Sequence, residues 1–519
     1  MVQSDTRVPG FGWIKLITQR ARQKCLGPFL FPQYLLAYND VQCGEFASLT
    51  IKKERRLNNL YAQAGVNLSE AEEATKALAK WLPGIGHFAG FFPKSQEDAD
   101  LSWLMLPIPP EVSAELLGSG PSIRFGSTVK RQVELALERY GYTPTFAVDY
   151  IGVAKLRASI MDKIGQSFMQ AQNLVGFKVI GGETAEMPDV YREGSGEVVF
   201  WVAGQKGKPR PLSWEKADRF HVVSVDGVGT KSIVALDSGL MEGLPYDLVH
   251  HGVNDLMCTG AVPTAFYAYL GVHSLVSERA IEILEEGVAK ACQEQGLTFM
   301  GCLVEKKDEI YRPGKIDFVG MICGEVLKEE IITGALIKPD DVLIGLPSSG
   351  LHTNGYSLAR DIISWSNLGL LQTVEEISGT IAEVLLRPHR SYREVIQKVK
   401  GEVKAIAHIT GGGFYDNIER LLPAGCKAVI KARNRNGRWL WPRPAEFAFL
   451  DQIVEEQGKS LYRCDKQARI ETFRAFNQGI GLVLIVSPEN LRKVGRKLPE
   501  HYRIGEIVES EERGVKVIC

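Results

Sequence analysis

The sequence has few of the features that would assign it to a special class of protein. Its 519 residues contain no run of eighteen or more apolar residues, so we expect no transmembrane helix. The nine cysteines are scattered without a CxxC pair or a regular spacing, which argues against a disulfide framework and against a zinc site. The net charge of -1 gives no reason to expect nucleic acid or a membrane as a partner. These absences favour a soluble, cytoplasmic protein with reduced thiols.

The length and composition are those of a globular protein with several domains. The chain is 45% hydrophobic and 24% charged, and 519 residues exceed one ordinary domain, so two to four are expected. The first 25 residues are basic, with Asp5 the only acid. They resemble an organellar presequence, but a poorly constrained extension over residues 1–54 is the preferred interpretation.

The central part of the chain carries an internal repeat at an offset of 119 residues. The matched pairs are Gly141 and Gly260, Pro144 and Pro263, Tyr150 and Tyr269, Gly152 and Gly271, Val153 and Val272, Leu156 and Leu275, Ile164 and Ile283, Gly182 and Gly301, and Glu186 and Glu305. Chance does not produce such a series in one register. We therefore predict two copies of one unit, over residues 55–208 and 218–330.

Each copy is predicted to form strand, helix and strand. In the second copy, Ser277 is a suitable N-cap for a helix through Gln295, whose apolar residues fall on one face. Residues 317–326 (DFVGMICGEV) are typical of a buried strand. A domain of different pattern follows over residues 332–519, and its basic run KARNRNGRWLWPRP from Lys431 is predicted to be a surface loop.

The string VVSVDGVGTKSIVAL from Val222 combines a strand end, two glycines and a lysine. Gly227, Gly229 and Thr230 would let backbone N–H groups approach an oxyanion, and Lys231 can neutralise phosphate charge. Asp226 is positioned to hold a divalent cation. A tight turn with a solvated lysine explains the string equally well.

Further oxygen ligands follow in two other strings. Asn254 and Asp255 come from HHGVNDLMCTG, and Glu183 comes from GGETAEMP after an apolar strand. Such groups suit Mg²⁺ held against the phosphates of a nucleotide. Each string alone would more often be a solvated polar end of an element.

The last domain contains three polar, glycine-rich strings, SSGLHTNGYS from Ser348, HITGGGFYDN from His408 and FNQGIGLVLIV from Phe476. Such loops suit a phosphate or a polar substrate, although a histidine before three glycines can also be a structural cap. The predicted substrate contacts are Ser349, His352, Asn354, Gly411, Gly412, Asn417 and Asn477.

Taken together, these strings resemble the aminoimidazole ribonucleotide synthetase family, the ATP-dependent cyclo-ligases of purine biosynthesis. The matching motifs are YAQAGVN, GIGHFAGFF, GGETAEMPDVY, VDGVGTK, GVNDLMCTGAVP, SSGLHTNGYSLAR, HITGGGFYDNIER and FNQGIG. The resemblance covers all but about the first fifty residues and some insertions. It implies an α+β fold, with two α/β copies of the family's N-terminal domain and one α+β C-terminal domain.

The motif order departs from that of the family, in which VDGVGTK precedes GGETAEMP. The first copy keeps GGETAEMP but has PIPPEV at the offset of Asp226 to Lys231, and Leu135 and Ala136 at that of Asn254 and Asp255. The second copy keeps the aspartates and has lost GGETAEMP. Because the family is homodimeric, we hypothesise that the two copies form that contact within one chain and share one composite site. The opposing hypothesis is a decayed, weak or inactive relative.

If the resemblance holds, the substrate is formylglycinamidine ribonucleotide and ATP activates its amide oxygen before ring closure. Asp226, Asp255 and Glu183 would hold Mg²⁺, although Glu305 could replace Glu183. Lys231, His352 and His408 would be catalytic, and Gly84 and Gly86 would join the phosphate contacts. The chain would be either a homodimer or a monomer with an internal pseudo-dimer. The alternative is a non-catalytic nucleotide-binding relative that serves as a scaffold or regulatory subunit.

Overall fold

A computed structural model describes residues 17–18, 68–82, 89–94, 101–118, 122–207, 212–456 and 466–518. The predicted glycines Gly84 and Gly86 and the YAQAGVN motif lie outside these residues. So does the predicted extension over residues 1–54, apart from a two-residue strand. Among the helices that the structure describes, none combines the length and the apolar character needed to cross a bilayer.

The first sheet has five strands in the order β1-β3-β6-β4-β5. These are β1 (Ile17–Thr18), β3 (Leu101–Pro107), β4 (Tyr142–Val153), β5 (Lys178–Glu186) and β6 (Gly196–Lys206). Its helices are α1 (Leu68–Ala79), α2 (Pro110–Leu117), α3 (Ile123–Ala136) and α4 (Ala158–Val175), with a 3-10 turn at Glu138–Tyr140. One face of the sheet and these helices enclose an apolar core that includes Phe125, Phe168 and Phe200.

The second sheet has the order β2-β7-β10-β8-β9. Its strands are β2 (Gly90–Lys94), β7 (Arg219–Gly227), β8 (Val262–Val272), β9 (Thr298–Lys306) and β10 (Ile316–Leu327). Its helices are α5 (Lys231–Ser238), α6 (Leu244–Cys258) and α7 (Glu278–Glu294), followed by a 3-10 turn at Lys328–Glu330. The predicted helix and strand are confirmed, and the Ser277 hydroxyl caps α7 by accepting from the N–H of Ala280 at 3.2 Å.

The two sheets have matching strand orders. The pairing of their strands corrects the predicted offset by one residue both before and after β4 and β8, the strands in which it holds. In the first sheet Gly152 pairs with Ala185, whereas in the second Gly271 pairs with Glu305. The predicted match of Glu186 with Glu305 is therefore wrong by one residue, and Leu303 occupies the position equivalent to Glu183. Likewise Pro107 pairs with Val199 as Gly227 pairs with Val319, so Leu106 is the counterpart of Asp226.

The other faces of the two sheets pack against each other. Aromatic and aliphatic side chains from both sheets form one buried cluster there, including Phe146, Trp201, Tyr267 and Met321.

Contacts at the edge of this interface come in reciprocal pairs. The hydroxyl of Tyr191 donates to Asp317, and that of Tyr311 donates to Glu197 at 3.1 Å. The N–H of Arg192 donates to the carbonyl of Ile310, and the N–H of Arg312 to that of Val190. Such mutual pairing is the pattern of a two-fold, isologous contact.

The third sheet has six strands in the order β12-β14-β11-β15-β13-β16. These are β11 (Val342–Pro347), β12 (Ala405–His408), β13 (Cys426–Lys431), β14 (Ile480–Val486), β15 (Tyr502–Glu509) and β16 (Gly514–Ile518). The helices are α8 (Tyr356–Ser364), α9 (Ile381–Leu385), α10 (Arg393–Val399), α11 (Gly413–Glu419), α12 (Ala445–Glu456), α13 (Lys466–Ala475) and α14 (Pro488–Gly495). One apolar core runs continuously from the second sheet into this unit, joining Leu248 and Val253 to Tyr392 and Leu482.

The basic run from Lys431 is only partly the predicted surface loop. Residues 434–438 are exposed, but Trp441 is buried and its indole N–H donates to the carbonyl of Gln478 at 2.7 Å. The run therefore combines a solvated turn with an anchor into the core.

Candidate functional site

Three carboxylates predicted as metal ligands lie together where the two N-terminal sheets meet the C-terminal unit. Asp226 stands near the end of β7, Asp255 lies on α6, and Glu183 comes from β5 of the other sheet. Asp226 and Asp255 approach the same imidazole nitrogen, Nε2 of His251, at 2.9 and 3.3 Å. Glu183 is half-buried and close enough to both aspartates to interact with them electrostatically. The fold thus unites groups that are 29 to 72 residues apart in sequence.

A chain of buried imidazoles continues from these carboxylates. His408 Nδ1 lies 2.6 Å from Asp255 Oδ1, and its Nε2 lies 2.9 Å from Nε2 of His389. The ring of His389 stacks on that of His352, with centroids 3.9 Å apart. These side chains come from three separate segments of the C-terminal unit, so only the tertiary fold brings them to α6.

The charges in this cluster shift the pKa values of its members strongly. Burial, reinforced by Asp226, raises the pKa of Glu183 well above its ordinary value. Burial would also raise the pKa of Asp255, but His251 and His408 outweigh it and hold that pKa well below the usual range. For His251, burial is outweighed by Asp226 and Asp255, and the pKa is raised. Asp226 and Asp255 therefore favour a positive charge between them, whereas burial disfavours the charge of Glu183.

Lys231 does not have the predicted free ammonium group. Its side chain is fully buried, and Nζ donates to Asp247 Oδ1 at 2.8 Å and to the carbonyls of His352 and Arg387 at 3.0 and 2.9 Å. An ammonium group has three donors, and these three acceptors use them all. The structure corrects the predicted phosphate contact: Lys231 links α5 and α6 to two loops of the C-terminal unit.

Asn254, taken as an oxygen ligand with Asp255, is another such link. Its amide oxygen accepts from the N–H of Tyr392 at 2.8 Å, and its amide nitrogen donates to the carbonyl of Arg390 at 2.9 Å. The side chain is fully buried. Asn254 therefore joins α6 to the segment before α10 and does not face the carboxylates.

The remaining groups of the VDGVGTK string surround the start of α5. Gly227 ends β7, and its N–H donates to Asp226 Oδ1 at 2.6 Å. Gly229 has a φ of 57°, which explains the glycine there. Thr230 is buried and its hydroxyl lies 3.1 Å from that of Ser357. This loop is thus held against the C-terminal unit.

The loop over residues 348–354 carries predicted substrate contacts. His352 is buried with a φ of 67°, and its Nε2 accepts from the N–H of Ser349 at 3.1 Å. Burial lowers the pKa of His352 well below its ordinary value, so its imidazole is neutral. Asn354 is half-buried beside Gly411, and the Ser349 hydroxyl donates to the carbonyl of Pro388 at 2.6 Å. Ser349 and His352 thus make contacts within the protein, which differs from their predicted role.

Two predicted substrate-binding asparagines instead stabilise loops. Asn417 is fully buried, and its amide nitrogen donates to the carbonyls of Gly411 and Gly413 at 3.0 and 2.9 Å. Asn477 donates to the carbonyl of Gly350 at 2.9 Å and accepts from the N–H of Gly479 at 2.9 Å. Their amide nitrogens donate within the protein, so the structure corrects their assignment.

The glycine triplet has a steric explanation. Gly412 and Gly413 have φ values of 83° and 57°, and a Cβ at Gly413 would overlap the backbone oxygen of Phe473. The triplet therefore allows the chain to pass close to α13. Gly411 has no such constraint, and its position beside Asn354 leaves it the most open of the three.

Sequence reasoning missed His251, His389, Thr353 and Arg420. His251 and Asp255 are four residues apart on α6, a spacing that places them on one helix face, so this signal was available. Thr353 Oγ1 lies 2.9 Å from Nδ1 of His251 and 3.5 Å from that of His389. Burial lowers the pKa of the Arg420 guanidinium, and nearby Asp255 opposes this shift. No local pattern marks the last three.

Comparison with known proteins matches most of the chain to two family models. The model for "AIR synthase related protein, N-terminal domain" matches residues 139–204 and 212–326, and that for "AIR synthase related protein, C-terminal domain" matches residues 338–518. A solved thiamine monophosphate kinase from Aquifex aeolicus has a TM-score of 0.40 at 17% identity, covering 58% of this chain and 88% of that one. That likeness is too distant to indicate function.

Curated relatives are closer. The chain is 37% identical over 296 residues to a protein of Vigna unguiculata named phosphoribosylformylglycinamidine cyclo-ligase, chloroplastic/mitochondrial, covering 56% of this chain and 72% of the relative. It is 38% identical to the cyclo-ligase of Caldanaerobacter subterraneus, covering 56% and 83%. It is 35% identical to that of Staphylococcus aureus, covering 57% and 83%. The chain belongs to the phosphoribosylformylglycinamidine cyclo-ligase family, a family of ligases.

Proposed function

We propose that this chain converts formylglycinamidine ribonucleotide to aminoimidazole ribonucleotide, with hydrolysis of ATP to ADP and phosphate, at one composite site. The observation that carries the proposal is the meeting of Glu183 from the first sheet with Asp226 and Asp255 from the second unit. Neither unit contains all three carboxylates. His408 of the C-terminal unit lies at the same site, with its Nδ1 2.6 Å from Asp255 Oδ1.

The composite site implies a duplicated N-terminal domain that forms an internal pseudo-dimer. The matching strand orders and the reciprocal contacts of Tyr191 and Tyr311 support this interpretation. At the symmetry-related position, Leu106 and Leu303 stand where Asp226 and Glu183 would be. We therefore expect one site per chain. Because the sheet faces that would form a homodimer contact are already packed against each other within one chain, we also expect a monomer in solution.

The donor chemistry fits Mg²⁺ and a nucleotide. Asp226, Asp255 and Glu183 would hold the ion, since all three offer carboxylate oxygens and Asp226 keeps 28% of its side chain exposed. When bound, Mg²⁺ would neutralise charge on the phosphates of ATP. The backbone around Gly227 and Gly229 would face those phosphates, with Gly84 and Gly86 as further proposed contacts.

The proposed reaction requires the protein to position ATP and the ribonucleotide rather than to form a covalent bond with them. ATP phosphorylates the amide oxygen, the amidine nitrogen attacks the same carbon, and phosphate leaves as the ring closes. Asn354, Gly411 and Gly412 would contact the ribonucleotide. Of the predicted proton carriers, His408 is better supported than His352, because its Nε2 lies within hydrogen-bond distance of Nε2 of His389, at 2.9 Å, and its Nδ1 lies 2.6 Å from Asp255.

The test is ADP release by the purified chain with ATP and Mg²⁺, in the presence and absence of formylglycinamidine ribonucleotide. We expect substrate-dependent turnover in the wild type, and at least about a 100-fold loss in Glu183→Gln and in Asp226→Asn.

Glu305→Gln is the matched control. Glu305 lies on the equivalent strand of the other sheet, and its carboxylate pairs with Lys307 Nζ at 2.6 Å. The Glu305→Gln variant is predicted to keep its turnover within about threefold of wild type. Loss of turnover in Glu305→Gln alone would refute the composite site. Binding of ATP without turnover in the wild type would identify the chain as the non-catalytic relative.

A further inference from the structure

We infer that Arg474 binds the 5′-phosphate of the ribonucleotide substrate, at the opening formed by Asn354, Gly411 and Gly412. In the free chain, the carboxylate of Asp416 occupies the guanidinium group in place of this phosphate. The inference rests on the proposed function, because it assigns one part of the proposed substrate to one side chain of the same site.

The proposed substrate carries a phosphate for which the site described so far offers no cation. A phosphate monoester has a charge of about −1.5 to −2 at pH 7. Asn354, Gly411 and Gly412 are uncharged, and the ammonium group of Lys231 is used by three acceptors inside the protein. A guanidinium group suits phosphate best, because its planar donors bind two oxygens at once. We therefore expect an arginine beside the glycine triplet.

Arg474 lies directly beside this triplet. It is part of α13, and a Cβ at Gly413 would lie 2.8 Å from its Cα. Its Nη2 lies 3.4 Å from Asp416 Oδ1, and the carboxylate of Asp416 fills the space beside Gly412, where a Cβ would overlap it. The guanidinium group also lies over the ring of Tyr415, with its Cζ 5.8 Å from the centroid. One carboxylate thus separates the guanidinium group from the glycines of the opening.

The pairing of Arg474 with Asp416 is loose and incomplete. Their separation of 3.4 Å exceeds the roughly 2.7–2.9 Å of a good charge-assisted hydrogen bond. The Nε atom of Arg474 is buried and has no hydrogen-bond partner among the residues that the structure describes. Buried donors without an acceptor are uncommon and costly. A phosphate that accepts from Nε and Nη2 together would satisfy both donors.

The exposure of Asp416 allows this exchange of partners. Its side chain is 44% exposed, so the carboxylate can turn into water when a phosphate takes its place. Arg387, near the loop over residues 348–354, differs in this respect: its partner Glu446 is 1% exposed, and leaving it would bury an unpaired carboxylate. Of these two arginines, only Arg474 can change its partner at low cost.

Arg420 indicates the direction in which the rest of the substrate lies. Its Nε donates to the carbonyl of Asp416 at 3.3 Å. Burial lowers the pKa of Arg420, and Asp255, Asp416 and Glu183 oppose this shift, so its guanidinium group stands between Asp416 and the composite carboxylates. The ribonucleotide has its phosphate at one end and its reacting amide at the other. With the phosphate at Arg474, the amide extends past Arg420 towards the carboxylates that hold Mg²⁺ and ATP.

The test is calorimetric binding of two ligands to the full chain without ATP: formylglycinamidine ribonucleotide and the same nucleoside without its 5′-phosphate. Arg474→Gln should weaken binding of the ribonucleotide about 30-fold or more and leave that of the nucleoside within about twofold, because only the first has the phosphate. Arg474→Lys should lie between the two, since lysine keeps the charge but not the paired donors. Equal weakening of both ligands, or of neither, would overturn the inference.

Arg503→Gln is the matched control for the loss of an arginine. Arg503 is exposed and pairs with Glu506 at 3.2 Å, so its replacement should leave both affinities unchanged. Asp416→Asn keeps Arg474 and removes its competing charge. The ribonucleotide should then bind about two- to fivefold more tightly, with the nucleoside unchanged. Weaker binding of the ribonucleotide in Asp416→Asn would contradict the exchange of partners, even if Arg474→Gln did not fold.

The outcomes for this inference and for the proposed function can be told apart, because ADP release is not measured. A chain that binds the ribonucleotide through its phosphate and Arg474 but releases no ADP fails only the proposed function. A chain that releases ADP, but in which Arg474→Gln affects both ligands equally, fails only this inference. A wild type that binds neither ligand would overturn both.

Discussion

Replacing Lys231 with methionine should destabilise the protein strongly, because the lysine is an internal tie. Methionine keeps most of the length of the side chain but removes all three donated hydrogen bonds. Asp247 Oδ1 and the carbonyls of His352 and Arg387 would then lie buried without their donor. Among the described residues, Asp247 would keep the N–H of His389 as a donor, at 2.7 Å.

The size of the effect follows from these partners. Removing one member of a buried ion pair costs about 3–5 kcal/mol, and each orphaned carbonyl about 1–3 kcal/mol. Because the losses share one group they do not add fully, and we expect about 4–7 kcal/mol. Burial raises the pKa of Asp247 to about 6 even beside Lys231, and losing the lysine raises it further. A raised carboxyl pKa costs stability as pH rises, so the deficit should be larger at pH 8 than at pH 5.5.

The assay is calorimetric thermal unfolding at both pH values. At roughly 2–4 °C per kcal/mol, Lys231→Met should lower Tm by about 8 °C or more. Lys315→Met is the control, since Lys315 pairs with exposed Asp237 at 2.9 Å and should cost less than about 1 kcal/mol. Adding Asp247→Asn to Lys231→Met should restore part of the loss. A Tm within about 2 °C of wild type, with weakened ATP binding, would refute this reasoning and restore the predicted phosphate role.

Three further predictions concern other buried groups. Burial raises the pKa of Asp317 to about 6, so the free energy of unfolding should fall by about 3 kcal/mol as pH rises from about 4 to 6. Asp317→Asn should remove most of this fall when Tm is measured against pH. An unchanged pH dependence in the variant would contradict the prediction. Asn254→Ala leaves the N–H of Tyr392 and the carbonyl of Arg390 unpaired, so the free energy of unfolding should fall by about 2–4 kcal/mol in a urea titration. A fall of less than about 1 kcal/mol would contradict this role of Asn254. Gly413→Ala should lower the free energy of unfolding by at least about 3 kcal/mol in the same assay, whereas Gly411→Ala should fold normally. Equal stability of the two variants would count against the steric explanation.

Much of the architecture could be predicted from the sequence because it depends on local pattern. The α7 helix follows from the Ser277 cap and one apolar face, and the buried strand β10 from a continuous apolar run. Likewise, Asp226 was recognisable as a candidate ligand because it ends an apolar strand before two glycines, and Asp255 because it stands beside Asn254 in the same copy.

The partners of polar side chains were decided by the tertiary structure alone. Lys231 and Asn254 have the residue types of a phosphate site and a metal site. Apart from Asp247, their partners lie more than 100 residues away, so no local pattern distinguishes a ligand-binding side chain from one that links distant segments. The same holds for His389 and His408, which come together through the fold of the C-terminal unit and meet Asp255 only because that unit packs on α6. The sequence by itself determined which elements form and which residues are capable of chemistry. Only the tertiary structure decided which of those residues meet, because a buried polar group must pair with whatever donors and acceptors the packed chain places beside it.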